Sequence, residues 1–500
     1  MKLFRFRGGV HPEGHKLATG LRPIEVLPMP KRLYIPVQQH IGAPAEPAVK
    51  PGHHVLKGRL LAHGQGTISA PVHAPTSGTI VDIVDHTAPH PSGLTVRTII
   101  LEADGKDEWM ETETNINPFE MNPQEIAVRV GAAGIVGLGG ATFPSAVKLK
   151  LGDAHPIRTL IINGGECEPY LTCDDRLMQE RAQEVIDGIR IMMHTLRTPR
   201  ALVAIEDNKP DAIEAMKVAS YLFEHVKIVP VPSLYPMGSE KQMIHALTGL
   251  EVPAGKRSAD IGVLMHNVGT AYAVHNTIRK GQPLLSRIVT VGGGAVREPR
   301  NLEVPLGTLV SELFEYCGGF TQTPQRILMG GPMMGQVMPH QEVPVIKGTS
   351  GVIALSKKEI TQQQTMPCIR CGSCAQVCPC GLLPMELATR ANKSQFEGAV
   401  DYGLMDCISC GSCSYVCPSH IPLVQYFNYA KGVIAGQNRD KQKATETREL
   451  AKQRTLRLER EAEAKARAAE ARKAQRLAQQ QAKQTTPPPA KAAATEEAAP

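Results

Sequence analysis

The sequence predicts a multidomain α/β protein. Three observations carry that expectation. Short apolar runs broken by Gly and Pro fill roughly the first hundred residues, strand-like and helix-like segments alternate between about 120 and 280, and a four-cysteine run at 368–378 recurs at 407–417. A chain of 500 residues has room for about three domains.

Composition narrows the class. The chain is 42% hydrophobic, enough for ordinary cores, but aromatics are only 4%, with Trp109 the single tryptophan, so the cores are aliphatic. No run approaches the ~18 apolar residues of a membrane-spanning helix. The opening "MKLFRFRGGV" has positive charge without the apolar stretch of a secretory signal. The expectation is a cytosolic protein, whose twelve cysteines serve as metal ligands or thiols rather than disulfides. The net charge of +7 is concentrated: 14 Lys and Arg against 7 Asp and Glu lie between Arg439 and Lys483. The body is nearly neutral and has no basic patch interleaved with aromatics, so nucleic acid is set aside.

Taken in order, residues 1–115 begin as an irregular Gly/Pro-rich segment. They continue as brief apolar runs, "YIPVQQHIGAPAEPAVKPGHHVLKG" and "ISAPVHAPTSGTIVDI", which read as a small all-β module. It resembles the barrel-sandwich hybrid of biotinyl and lipoyl domains. The central stretch "AHGQGT" has no Lys to modify, so no swinging arm is expected. Residues 116–282 alternate: "NPQEIAVRVGAAGIVG" helical, "RTLIING" strand, "RLMQERAQEVIDGIRIMMHTL" helical, "RALVAIED" strand, "PDAIEAMKVASYLF" helix, "HVKIVPVP" strand. That order predicts a parallel sheet with covering helices. Residues 283–345 read strand, strand, helix, strand and resemble a soluble-ligand-binding β-grasp module. Residues 360–430 hold most of the cysteines. From 437 to 500 the chain is Ala, Glu, Lys, Arg and Gln ending in "TTPPPAKAAATEEAAP", a helical-to-disordered basic tail. A solvated charged helix is one reading of it; contact with anionic headgroups or partner subunits is the other.

Cys368, Cys371, Cys374 and Cys378 stand at C-x2-C-x2-C-x3-C-P spacing, and Cys407, Cys410, Cys413 and Cys417 repeat it. Three thiolates on one short turn wrap three corners of an iron–sulfur cube, and the fourth reaches the other cluster. The spacing therefore predicts two 4Fe–4S clusters, one on Cys368, Cys371, Cys374 and Cys417, the other on Cys407, Cys410, Cys413 and Cys378. Paired zinc ribbons are the alternative, but zinc uses separated C-x2-C pairs and has no need of the third cysteine or the Cys-Pro. The long helical link between the runs suggests a helical two-cluster ferredoxin-like domain. Cys380 reads as a small buried thiol, and Cys167, Cys173 and Cys317 have no partner spacing.

Clusters carry single electrons and need a source. The stretch "GAAGIVGLGGATFP" at 131–144 is a weak dinucleotide fingerprint, because Phe143 stands at the third glycine position and a helix, not a strand, precedes it. It can still meet a phosphate with bare amides, helped by the helix after Pro144; a tight helix–helix turn is the plain alternative. Three more segments, "NGGECEPYLTCDDRLM", "PMGSEKQMIHALTG" and "LMHNVGTAYAVHNTI", bring Asn and Glu to places where a bare core would not tolerate them. Together these motifs resemble the NADH- and FMN-binding subunit of respiratory complex I, with Gly139 to Pro144, Asn163 to Pro169, Gly238 to Glu240, and Asn267 to Thr270 in matching order. The "GGVHPEGHK" segment, the barrel-sandwich module and the two-cluster end are instead shared with the C subunit of the Rnf ion-translocating oxidoreductase, over about residues 1–430. Gly165 replaces an acidic residue of the complex I loop.

The resemblance implies two 4Fe–4S clusters, FMN and NAD(H). It places Gly137, Gly139, Gly140 and Lys148 at the flavin phosphate or nucleotide, although Lys148 also reads as a surface lysine. Phe143 is implied to stack on the nucleotide, against a reading as core Phe. Asn163, Glu166, Glu168, Glu240, Asn267 and Thr270 are implied to line the isoalloxazine and ribityl sites. No general acid or base is required, since hydride transfer between stacked rings needs positioning. The implied protein is peripheral on the cytoplasmic face of the bacterial inner membrane. Its implied partners are integral membrane subunits and a ferredoxin-like iron–sulfur subunit. The rivals are a soluble flavin/iron–sulfur reductase of the cobalamin-reductase type and a non-enzymatic scaffold stapled by clusters.

Overall fold

A computed structural model describes residues 5–114, 117–153, 155–360 and 364–484. The chain divides into two units, Met1–Asn428 and Tyr429–Pro500.

In the first unit, β1 (Ile24–Val26) precedes the β module. That module comprises β2 (Arg32–Pro36), β3 (Glu46–Pro47), β4 (His54–Val55), β5 (Leu60–His63), β6 (Val72–His73), β7 (Gly78–Thr87) and β8 (Thr95–Ala103). They form a four-stranded sheet in the order β2-β8-β7-β4 and a three-stranded sheet in the order β3-β5-β6. Alternate residues face inward, as the two-residue period of a strand requires: Leu33 and Ile35, and Ile99 and Leu101, are fully buried with Leu61 and Ile80. This is the expected barrel-sandwich arrangement, and the turn at 63–67 is exposed.

The next sheet is wholly parallel. It contains β9 (Thr159–Gly164), β10 (Ala201–Glu206), β11 (Val226–Val231) and β12 (Val263–Asn267) in the order β11-β10-β9-β12. All six residues of β9 are buried, which is what a central strand covered on both faces demands. On one face Leu160, Ile162, Val203 and Ile205 pack with the helices Pro123–Ala132, Ala182–Leu196 and Val268–Lys280. On the other, Ile161 and Ala204 pack with Met243, Ile244 and Ala246 of the helix Glu240–Thr248. The long helical stretch expected at 176–196 is divided, because Arg181 (φ −128°, ψ 29°) leaves the helical basin between Cys173–Glu180 and Ala182–Leu196.

A six-stranded sheet follows, built from β13 (Ser286–Gly292), β14 (Arg300–Pro305), β15 (Arg326–Met329), β16 (Gln336–Val337) and β17 (Gly351–Leu355) together with β1. Its order is β1-β14-β13-β17-β15-β16. Val310, Leu313 and Phe314 of the helix Val310–Tyr316 seal it. Lys347 is completely buried and donates to Pro71 O and Gly134 O, both at 2.7 Å. It thus joins the barrel, the turn before the glycine loop and the end of the β-grasp region. Burial pushes its amine down to about 7.

The cysteine-rich region is helical: Ser373–Gln376, Pro384–Asn392, Phe396–Asp401 and Ser412–Tyr415. A helix spanning Leu423–Gln484 continues into the second unit, where residues 437–481 are exposed throughout, as a solvated charged helix should be. The disorder expected of 485–500 falls outside the described residues.

Candidate redox site

Three of the expected segments meet at the carboxyl edge of the parallel sheet, where such folds present ligand-binding groups. Asn163, next to the last residue of β9, lies beside Asn267 at the end of β12. The Asn163 side chain donates to Gly238 O at 2.8 Å and accepts from Gly165 N at 2.9 Å. Asn267 accepts from Gly269 N, capping the helix Val268–Lys280, and donates to Asp174 Oδ2 at 2.6 Å. Thr270 Oγ1 accepts from Leu138 N at 3.0 Å, which ties the glycine loop to that helix. A Cβ on Gly139 would stand 3.3 Å from the Asn267 Cβ. The buried Asn residues are thus satisfied, as a polar group taken from water must be.

The glycine loop closes through Gly137 N to Phe143 O at 2.8 Å, with Phe143 half-buried. Gly140 has φ +102° and nothing within 4 Å of where a Cβ would be. That bare, open backbone fits close approach of a phosphate. The helix after Pro144, Ser145–Leu149, has only five residues, so the dipole expected of it is small. Lys148 is not a free surface lysine: its Nζ donates to Met265 O at 3.1 Å. Glu240 opens the helix Glu240–Thr248 and accepts from Ser258 Oγ at 2.8 Å.

The two acids of the 163–169 loop are engaged differently. The Glu166 carboxylate accepts from Asp174 N at 3.0 Å and from the Cys173 thiol at 3.2 Å, at the start of the helix Cys173–Glu180. Burial raises its pKa, with Lys16 opposing. Glu168 instead turns to the β15–β16 hairpin and accepts from Met333 N and Met334 N, each at 2.9 Å. Burial pushes its carboxyl up to about 7, against those two amides.

Sequence reasoning missed the residues that hold this loop from outside. Lys16 Nζ donates to the carbonyls of Glu166, Glu168 and Leu171, using all three of its donors. No periodicity signals a contact across some 150 residues. Glu206 and Lys209, a fully buried ion pair at the end of β10, had a usable signal: "IEDNK" follows a strand whose neighbours carry the site. A separate cleft of about 620 Å³ lies behind Leu138, Gly269 and Asp174 and is lined also by Trp109, Tyr272 and Arg287. None of the eleven residues expected at the cofactors lines it.

The two cysteine runs fold alike. Arg370 and Ser409, at matching positions, both have φ +58°. Arg370 N points at Cys368 Sγ and Ser409 N at Cys407 Sγ, each at 3.4 Å. These amide-to-sulfur contacts suit thiolates that carry cluster charge. The runs also cross. Met366 N bonds Ser419 O at 2.9 Å and Ser419 Oγ bonds Pro367 O at 3.0 Å, so the end of the second run lies beside the start of the first. Cys413 lies within electrostatic reach of Cys410, Cys407 and Cys378. Among the described residues no three metal-ligating side chains converge as they would on a single ion; the corners of a cube stand wider. Cys378, Cys410 and Cys413 are buried, whereas Cys368 and Cys371 are exposed. Cys380 is half-buried beside Gln242, within electrostatic reach of Cys378, Cys407 and Cys410.

The chain is 54% identical over 439 residues, 87% of its length, to the C subunit of the ion-translocating oxidoreductase complex of Rhodobacter capsulatus, covering 84% of that protein. The chain belongs to the C-subunit family of ion-translocating oxidoreductases. A second member, the C subunit of the proton-translocating ferredoxin:NAD(+) oxidoreductase complex of Clostridium ljungdahlii, is 46% identical over 85% of this chain and 93% of that one. Family models match in succession: RnfC barrel sandwich hybrid domain at residues 4–106, Nuo51 FMN-binding domain at 130–276, SLBB domain at 288–337, and 4Fe-4S dicluster domain at 367–421. The FMN-binding match contains the glycine loop, the 163–169 loop, Glu240, Asn267 and Thr270. A solved chain of NAD+-reducing [NiFe]-hydrogenase in the H2-reduced state aligns with TM-score 0.45 and 19% identity over 65% of this chain and 64% of that one. This member of the C-subunit family thus carries the FMN-binding and iron–sulfur modules in one polypeptide, and the bare backbone at Gly140 and the duplicated cysteine loops fit both groups.

Proposed function

We propose that this chain is the electron-transfer subunit of a membrane-bound ion-translocating oxidoreductase complex that exchanges electrons between NAD(H), FMN and two 4Fe–4S clusters. One observation carries the reading. Tyr235 OH donates to Cys410 O at 2.5 Å, and three residues on, Gly238 O receives the Asn163 side chain. The flavin-type loop and a cysteine run therefore share one short junction.

In this reading Gly137, Gly139, Gly140 and Lys148 receive the flavin phosphate, and Asn163, Glu166, Glu240, Asn267 and Thr270 shape the ring and ribityl sites. Glu168 braces the loop through the hairpin amides, and Phe143 faces the nucleotide. When bound, FMN supplies the conversion between a two-electron hydride and the single electrons a cluster takes. Cys407, Cys410, Cys413 and Cys378 hold the cluster nearer that loop. Cys368, Cys371, Cys374 and Cys417 hold the outer one, where exposed thiols face a partner. No described helix is long and apolar enough to cross a membrane. In this reading attachment is peripheral, on the cytoplasmic face, through integral membrane proteins of the complex and a ferredoxin-like iron–sulfur protein.

The test is anaerobic addition of NADH to the full chain reconstituted with FMN, iron and sulfide. Flavin bleaching followed by two distinct cluster EPR signals is expected. Failure to bind flavin, or no reduction by NADH, refutes the proposal.

A further inference from the structure

Residues 8–16, read from sequence as irregular, touch both halves of the junction. The Gly8 backbone, at φ +77°, lies against the cysteine run so closely that a Cβ would stand 2.6 Å from Val377 O and 2.9 Å from Cys378 C. Gly9 N donates to Val377 O at 2.9 Å. Val10 pairs with Tyr235 through two backbone bonds of 2.9 Å and packs in one apolar cluster with Tyr235 and Cys410, against Cys167 and Met333. Six residues later Lys16 collects the carbonyls of Glu166, Glu168 and Leu171. Between them Gly14 O accepts from Tyr170 N at 2.8 Å, and His15 stacks on Tyr170 with ring centres 4.7 Å apart.

We propose that residues 8–16 are a positioning strap that fixes the separation between the flavin-type loop 163–169 and the cluster of Cys378, Cys407, Cys410 and Cys413, and thereby sets the rate of electron passage between them. The inference rests on the cofactor placement proposed above. Electron tunnelling falls exponentially with distance, so an element that holds the two sides together controls the step without meeting either redox group. Neither side is tied to the other by secondary structure: the loop leaves β9, and the cysteine run follows β17. To the Tyr235–Cys410 bond the strap adds backbone hydrogen bonds and one saturated ammonium, which leave little play.

The experiment uses the full reconstituted chain with Gly8→Ala, which drives a methyl into Val377 O, and Val10→Ala, which only trims the packing on Tyr235 and Cys410. Stopped flow reads flavin bleaching and cluster reduction separately. Hydrogen exchange reads the amides of Gly9, Val10, Tyr235, Glu166, Cys167, Glu168, Tyr170 and Leu171. In Gly8→Ala, bleaching by NADH stays within twofold of the parent, cluster reduction slows at least tenfold, and exchange rises at those amides alone. Val10→Ala slows cluster reduction about threefold and decides the matter if Gly8→Ala does not fold. Cluster reduction at the parent rate in a variant whose strap amides exchange faster overturns the proposal. So does equal slowing of bleaching and cluster reduction. A parent chain that binds no flavin overturns the underlying functional reading as well, and that outcome is seen before any variant is made.

Discussion

Glu168 shows how one side chain couples the site to pH. Burial raises its carboxyl from 4.5 to about 7, so the folded chain holds a proton that the unfolded chain has released. Its contribution to stability is complete below about pH 4.5 and is lost as pH rises through about 7. The span corresponds to at most about 3.5 kcal/mol. Between pH 5 and 7.5 the melting temperature of the parent should therefore fall more steeply than that of Glu168→Gln, which cannot ionise; parallel curves would contradict this. Asn267 makes a different kind of contribution. Asn267→Ala removes the cap on Gly269 N and leaves the half-buried Asp174 side chain short of a donor. A loss of about 2 kcal/mol in urea unfolding is expected, together with a lower flavin-to-protein ratio after reconstitution.

At the scale of elements, the cysteine loops make the sharpest prediction. Cys417→Ala should bleach the EPR signal and iron content of the cluster on Cys368, Cys371 and Cys374 and spare the one on Cys407, Cys410 and Cys413; the opposite pattern would mean that each run serves its own cluster. The loops were legible because ligand spacing is a local property, and so were the strands and helices of the parallel sheet, whose burial on both faces is written in the unbroken apolar runs Leu160, Ile161, Ile162 and Val203, Ala204, Ile205. Elements completed by distant partners were not. Nothing in Ile24–Val26 announces that it will pair with Asn301–Glu303, and nothing in Gly351–Leu355 announces that it will lie between β13 and β15. The same reason hid Lys16: an ammonium that meets only carbonyls leaves no charge partner to look for. Glu168 was found by resemblance, yet its partners, the amides of Met333 and Met334, have no side-chain signature at all.

Across the whole molecule, the first unit is held by contacts between modules rather than by any single core. Lys347→Met would strip a donor from Pro71 O and Gly134 O while relieving the burial of an amine, for a net loss of about 2 kcal/mol of unfolding free energy in a urea titration. Truncation after Gly436 removes the exposed helical residues 437–481 together with most of the net charge of +7. Flavin and iron content should be unchanged, while retention on anionic vesicles falls; a loss of clusters would show that the tail is structural. The strap also bears on the order in which the molecule is made. A ribosome delivers residues 8–16 before any of their partners, so Lys16 must wait for the carbonyls of 166–171, Val10 for Tyr235, and Gly9 for Val377. At about 5–20 residues per second, that last wait is on the order of twenty seconds to a minute. The strap is therefore among the last segments to settle, and a nascent chain leaves the junction between loop 163–169 and the cysteine runs open until those cysteines have emerged.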